Sequence, residues 1–219
     1  MRGLSIAGAH TDVGKTYVAC ALIRAAVARG RRVGVLKPVV SGFDPEDWAD
    51  SDPGCLLRAL GLAPSEALLD AVSPLRFRAP LSPPMAARAE GRSLAYAEVL
   101  DACRPFLTDT QADLKIFEGA GGIMSPIAED GLCAHLHAEV GLPAVLVGGS
   151  YLGAISHTLT AIAALQGFGI PIHAVVISQS ADPSAPDFDQ TVEAVGRFAN
   201  MPVVAARRGE DRWARDLLV

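Results

Sequence analysis

Long apolar runs are missing from this chain of 219 residues, and nothing in it approaches the roughly 20 consecutive apolar residues that a membrane-spanning helix needs. The start, Met1-Arg2-Gly3-Leu4-Ser5-Ile6-Ala7, leads straight into glycine-rich sequence without the apolar core of a signal peptide, which predicts a cytoplasmic protein that does not engage membranes. Cysteine is sparse and scattered. Cys20, Cys55, Cys103 and Cys133 form none of the close pairs of zinc or dithiol sites and lack the density of a secreted disulfide scaffold, so they read as small apolar residues. Positive charge is not in excess: 19 Lys and Arg stand against 24 Asp and Glu, a formal charge of -5, which removes the global electrostatic reason to bind nucleic acid. Aromatics make up only 5%. Lysine is rarer still, with Lys15, Lys37 and Lys115 against sixteen arginines.

What is present, 50% hydrophobic residues with 21 Gly and 15 Pro, suits a compact α/β protein, and the length suits a single domain over 1–219. The pattern predicts a strand at 4–7, a helix at 15–29 stopped by Gly30, and a strand at 32–40, a βαβ unit with a right-handed crossover. An acidic loop at 41–53 precedes a helix at 53–61. Five prolines between 64 and 84 predict short helices and extended turns, followed by helices at 84–91 and 94–107. Strands at 114–117, 144–147, 172–177 and 202–205 alternate with helices at 132–140, 153–167 and 188–200. The fold class is therefore α/β, a doubly wound, mainly parallel sheet with helices on both faces.

Gly8-Ala9-His10-Thr11-Asp12-Val13-Gly14-Lys15-Thr16 lies between the first strand and the first helix, where backbone N–H groups and a helix N-terminus point at phosphate oxygens. Lys15 is placed to bridge outer phosphates and the Thr16 hydroxyl to hold Mg²⁺. Ala9 occupies the first glycine position of the standard pattern and Gly8 comes one residue early, so the loop is a variant. The competing reading is an ordinary turn with a solvated lysine. A chain that writes its cations as arginine keeps lysine where a compact ammonium is needed, which singles out Lys15 and Lys37. Lys115, inside an apolar strand, reads as an edge or snorkelling residue.

Lys37-Pro38-Val39-Val40-Ser41-Gly42 falls where the second strand leaves the sheet, the end at which open α/β sheets bind ligands, so Lys37 and Ser41 are expected to face the phosphate loop. Glu118-Gly119-Ala120-Gly121-Gly122 repeats the arrangement, a carboxylate at a strand end followed by a small-residue loop. Thr16, Asp52 and Glu118 together offer oxygen ligands for Mg²⁺, although an Asp at a helix start, such as Asp52 taken alone, is usually just a cap. His135 and His137 have no acidic partner at ligand spacing and read as packing residues. His157 belongs with Gly153-Ala154-Ile155-Ser156, a helix start and a possible anion site.

At these residues the chain resembles the dethiobiotin synthetases. The loop G-x-x-T-(D/E)-V-G-K-T at residues 8–16, K-P-V-x-S-G at 37–42, E-G-A-G-G at 118–122 and L-G-x-I-x-H at 152–157 match in order and interval over nearly the whole chain, and the family's loop has the same one-residue offset. The resemblance implies a phosphate-loop NTPase fold and an enzyme that closes the ureido ring of dethiobiotin from 7,8-diaminononanoate, CO2 and MgATP. It implies that Lys37, Lys15 and Ser41 act in catalysis and that Asp12, Val13, Gly14, Lys15, Thr16, Tyr17, Asp52, Glu118, Gly119, Ala120 and Gly121 bind ATP. Thr16, Asp52 and Glu118 would hold Mg²⁺. Lys37, Ser41, Gly121 and Gly122 would bind the diamine, with Leu152, Gly153, Ala154, Ile155 and Ser156 meeting its carboxylate across a homodimer interface. Three features depart from the family: His10 stands in place of Asp, Ser178-Gln179 in place of an Asn-Asp pair, and the segment 202–207 lacks Gly-x-(I/L)-Pro.

Two other classes compete. An ATP-driven switch of the partition or septum-site type shares the architecture but usually carries a second lysine early in the loop, where this chain has Ala9, His10 and Thr11; an inactive paralogue is the other. A GTPase is disfavoured because Asn-Lys-x-Asp occurs nowhere.

Overall fold

A computed structural model of the chain describes residues 2–218. In chain order the elements are β1 (Arg2–Gly8), α1 (Lys15–Val27), β2 (Val33–Leu36), β3 (Val39–Ser41), α2 (Asp52–Ala59), α3 (Glu66–Val72), β4 (Leu75–Phe77), α4 (Pro83–Ala89), α5 (Tyr96–Thr108) and β5 (Leu114–Glu118). There follow β6 (Pro126–Ala128), β7 (Gly131–Leu132), α6 (Cys133–Val140), β8 (Ala144–Gly149), α7 (Ala154–Gly167), β9 (Ile172–Ser178), α8 (Phe188–Ala199), β10 (Val203–Ala206) and α9 (Trp213–Asp216).

Six strands form one sheet in the order β10-β9-β8-β1-β5-β2, and every pairing is parallel. Strands of such a sheet are covered on both faces and so read as unbroken apolar runs rather than alternating ones. β5 and β8 are buried at every position. On one face, α1 and α2 pack with Leu22, Ile23, Leu56 and Leu57 against Ile6, Ile116 and Val145. On the other, α7 and α8 cover β8 and β9 while α5 and α6 cover β5. The register sets Ile6 of β1 beside Glu118 of β5, so the loop after β1 and the carboxylate ending β5 emerge side by side at the carboxyl edge.

The segment expected as one strand over 32–40 divides. β2 stays in the main sheet, while β3 turns away to pair in parallel with β4, Val40 opposite Arg76. Pro38 has no N–H to continue a ladder. Its carbonyl accepts from Leu75 N at 3.0 Å and Lys37 N donates to Val72 O at 2.8 Å, so the chain swaps partners at this dipeptide. β4 and the β6–β7 hairpin run to three residues or fewer, too short to show any period.

Candidate active site

The phosphate loop enters α1 through Gly14, whose φ of 91° is left-handed and which provides no side-chain cap, so the first N–H groups of the helix stay open to a ligand. Gly8 is required one position early for a packing reason. A Cβ there would stand 2.8 Å from both Gly121 O and Lys15 Cδ. The loop thus lets the 119–122 backbone and the Lys15 stem close over it. Lys15 is buried and its Nζ donates to His10 O at 3.1 Å. Burial, reinforced by the Lys37 charge, lowers its pKa from the ordinary lysine value.

Lys15, Thr16, Lys37, Ser41, Asp52 and Gly121 line one cavity of about 750 Å³. Within it the Lys37 ammonium, 4% exposed, donates to Glu118 Oε1 at 2.6 Å, to Asp52 Oδ2, and to Thr16 Oγ1 at 3.5 Å. Burial opposes the charge on Lys37, but the Glu118 and Asp52 carboxylates outweigh it and raise the pKa. Burial likewise opposes ionisation of Asp52, and Lys37 outweighs it in turn, holding that carboxyl below its usual range. Asp52 does not cap its helix, the alternative role for it. Ser51 is the N-cap, its Oγ accepting from Gly54 N, and Asp52 at the next position is left to reach Lys37.

Two buried oxygens in this cluster find no hydrogen-bond partner, Glu118 Oε2 and Ser41 Oγ. An orphaned carboxylate oxygen costs free energy unless a ligand completes it. Glu118, Asp52 and Thr16 Oγ1, which donates to Glu118 Oε1 at 2.7 Å, are hard oxygen donors gathered around a cationic position. That set fits Mg²⁺, which takes one or two carboxylates and completes its shell with water and phosphate.

Other expected residues take varied positions. Asp12, Tyr17, Ala120 and Gly121 border the cavity, while Val13 is buried in the core. Gly119 is closely covered by His137 and Cys133, and Gly122 N donates to Ser125 Oγ at 3.0 Å. Leu152, Gly153, Ala154, Ile155 and Ser156 lie outside this cavity, with Leu152 91% exposed. Lys115 is not an edge residue, because β5 lies between β1 and β2; its Nζ snorkels to Leu107 O at 2.8 Å beside the Phe106 ring.

Cys20, Cys103 and Cys133 are buried as expected, whereas Cys55 is half-buried next to Arg58. His137 is buried, its Nδ1 3.1 Å from Ser5 Oγ, and burial pushes its pKa down to about 3. His135 Nδ1 accepts from Leu132 N. His10 stacks on His157 with centroids 5.5 Å apart, and His157 Nδ1 lies 2.8 Å from Tyr151 OH, so the phosphate loop leans on the first turn of α7. Ser125 lines this cavity, and Tyr151 and Arg208 line a neighbouring one, without any motif in the sequence to mark them.

Residues 2–207 match the AAA domain family. Together with the parallel sheet and the glycine-entered helix carrying Lys15, that match places the chain among the phosphate-loop nucleotide-binding proteins. The ATP-dependent dethiobiotin synthetase BioD of Phenylobacterium zucineum is 55% identical over 214 residues, 97% of this chain and 92% of that protein. Its counterpart in Caulobacter vibrioides is 46% identical over 219 residues, 100% of this chain and 98% of that protein. The chain belongs to the ATP-dependent dethiobiotin synthetases. Among solved structures, the MinC:MinD cell division protein complex of Aquifex aeolicus is alike in fold, with a TM-score of 0.51 at 11% identity over 99% of this chain and 86% of that one. That likeness concerns architecture alone, and the relatives' shared name does not favour the switch reading.

Proposed function

We propose that this chain, as a single domain working in the cytoplasm, closes the ureido ring of dethiobiotin from 7,8-diaminononanoate, CO2 and MgATP. The observation that carries the reading is the Lys37 ammonium buried between two carboxylates in the cavity that Lys15, Thr16 and Ser41 also line. One amine of the substrate captures CO2 as a carbamate. Lys37 and the unpartnered Ser41 hydroxyl hold that anion, and the carbamate oxygen attacks the γ-phosphorus while ADP leaves. Lys15 and the open N–H groups at the start of α1 offset the charge that develops on the phosphate oxygens. The second amine then attacks the carbamic-phosphoric anhydride, forming the ring and releasing phosphate. Thr16, Asp52 and Glu118 would hold Mg²⁺, which supplies charge neutralisation to the triphosphate. No side chain need become covalently attached.

The functional unit is a homodimer in this reading. Leu152–Ser156 stand outside the cavity of their own chain, and Leu152, Ile155, Leu81, Met85 and Met124 are exposed apolar side chains of the kind a partner covers. The substrate carboxylate would then meet the α7 start of the second subunit. Incubation with the diamine, bicarbonate and MgATP, following phosphate release and dethiobiotin, tests the reaction. Phosphate release that ignores the diamine favours a switch, and none at all favours an inactive paralogue.

A further inference from the structure

His10 and His157 meet where the phosphate loop passes the start of α7. Their rings lie nearly parallel, with planes 10° apart and centroids at 5.5 Å, and the Tyr151 ring closes the third side, 5.9 Å from His10 and 5.7 Å from His157. Tyr151 is held in turn, its hydroxyl 2.8 Å from His157 Nδ1. Gly149 makes room for it, since a Cβ there would stand 2.8 Å from the Tyr151 ring. The three rings thus join the loop after β1 to the loop after β8, and these two strands are neighbours in the sheet.

The backbone of the same histidine holds the site lysine. Among the described residues Lys15 Nζ has one hydrogen-bond partner, His10 O at 3.1 Å. An ammonium carries three hydrogens, so two remain for phosphate oxygens once that carbonyl has fixed its direction. Gly8 admits the carbonyl, because a Cβ there would stand 2.9 Å from His10 O. Two side-chain contacts compete to fix where this carbonyl lies. His10 Nδ1 is 2.9 Å from Thr11 O, and a carbonyl only accepts, so Nδ1 carries a proton and donates it. That bond joins adjacent residues of one exposed loop and moves with the loop. The stack instead ties His10 to α7, a helix whose buried face packs against β8 and β9 through Ala161, Ile162 and Leu165.

We propose that His10 is a positioning residue for the phosphate site: through its stack on His157 it fixes the carbonyl that aims Lys15 at the outer phosphates of the nucleotide. The inference rests on the proposed use of MgATP, and calorimetric titration with MgADP reads it without turnover. His10→Ala removes the ring and is expected to raise Kd for MgADP about fivefold, the order of a lost aromatic pair. His10→Phe keeps a ring to stack but loses the bond to Thr11, and it stays within about twofold of the unaltered chain. His10→Asn keeps a donor for Thr11 O without the ring, and it weakens binding as His10→Ala does. His157→Ala weakens binding to the same extent, and the double variant with His10→Ala by no more than either alone, because both remove one contact. Unchanged affinity in His10→Ala or His10→Asn, a loss in His10→Phe, or losses that multiply in the double variant overturn the proposal. An unaltered chain that binds no MgADP overturns it together with the nucleotide site. If MgADP binds but diamine-dependent phosphate release is absent, the proposed reaction falls, while the variants still uphold or overturn the role of the stack.

Discussion

Lys37 has three hydrogens on its ammonium and three oxygen partners, Glu118, Asp52 and Thr16. A flat guanidinium fork cannot aim its donors at that cluster from the same backbone position, which gives physical content to the scarcity of lysine in this chain. Lys37→Arg and Lys37→Gln are both expected to lower kcat by at least about a hundredfold, on the order of 3 kcal/mol of lost transition-state stabilisation. Steady-state assays decide it, and an Arg variant with near-normal turnover would show that any cation suffices. His137 yields a separate expectation from its burial. With its folded pKa near 3 against an ordinary 6.5, the unfolded chain binds the extra proton first, so stability is full above about 6.5 and is lost as pH falls toward about 3. The slope from this one group is about 1.4 kcal/mol per pH unit. His137→Gln retains a partner for Ser5 and removes the titration, so melting curves between pH 7 and 4 should flatten relative to the unaltered chain; identical acid-side slopes would refute this.

Two element ends deliver the carboxylates, and they differ in what they risk. Asp52 is half-buried at the first turn of α2, capped by Ser51, whereas Glu118 is wholly buried at the end of β5. Asp52→Asn leaves Lys37 paired with Glu118, so the Mg²⁺ concentration for half-maximal activity should rise several-fold while the melting temperature holds. Glu118→Gln removes the fully buried partner of a buried ammonium, a loss of about 3 kcal/mol or more, so it should lower both metal affinity and stability. Activity titrated with Mg²⁺ beside thermal unfolding separates the two, and unchanged metal dependence in both variants would return these carboxylates to a purely structural pairing with Lys37. Pro38 matters at this scale too. By ending β2 it turns Val39–Ser41 onto β4, and that turn brings the Ser41 hydroxyl to the cavity wall.

At the scale of the whole molecule, the site proposed here is shared between two chains. Gly153 is left-handed, with φ 98°, so a side chain there would strain the entry to α7. Ser156, exposed in the first turn, accepts a carboxylate without that strain. Ser156→Asp is expected to raise KM for the diamine by tenfold or more and to leave KM for ATP within about twofold, on the order of 1.4 kcal/mol of carboxylate repulsion. Mixing it with Lys37→Gln should produce hybrid dimers in which one composite site is intact, with activity above that of either parent. Hybrid dimers demonstrated by native mass spectrometry yet inactive would refute the shared site.

Sequence by itself determined the α/β alternation, the strand–loop–helix context of Lys15 and the strand ends that bear Lys37 and Glu118, because fully buried strands and long helices write their burial into local runs of residues. It also supplied the family through four short motifs in order. Tertiary structure alone decided the rest. Whether Asp52 caps a helix or meets Lys37 depended on Ser51 taking the cap and on a contact across 15 residues. The division of 32–40 depended on which distant strand, β4, received Val39–Ser41. Lys115 became an interior residue only when β2 closed over β5. Each of these outcomes is a pairing between segments far apart in sequence, and no local pattern carries the identity of a partner that only folding brings within reach.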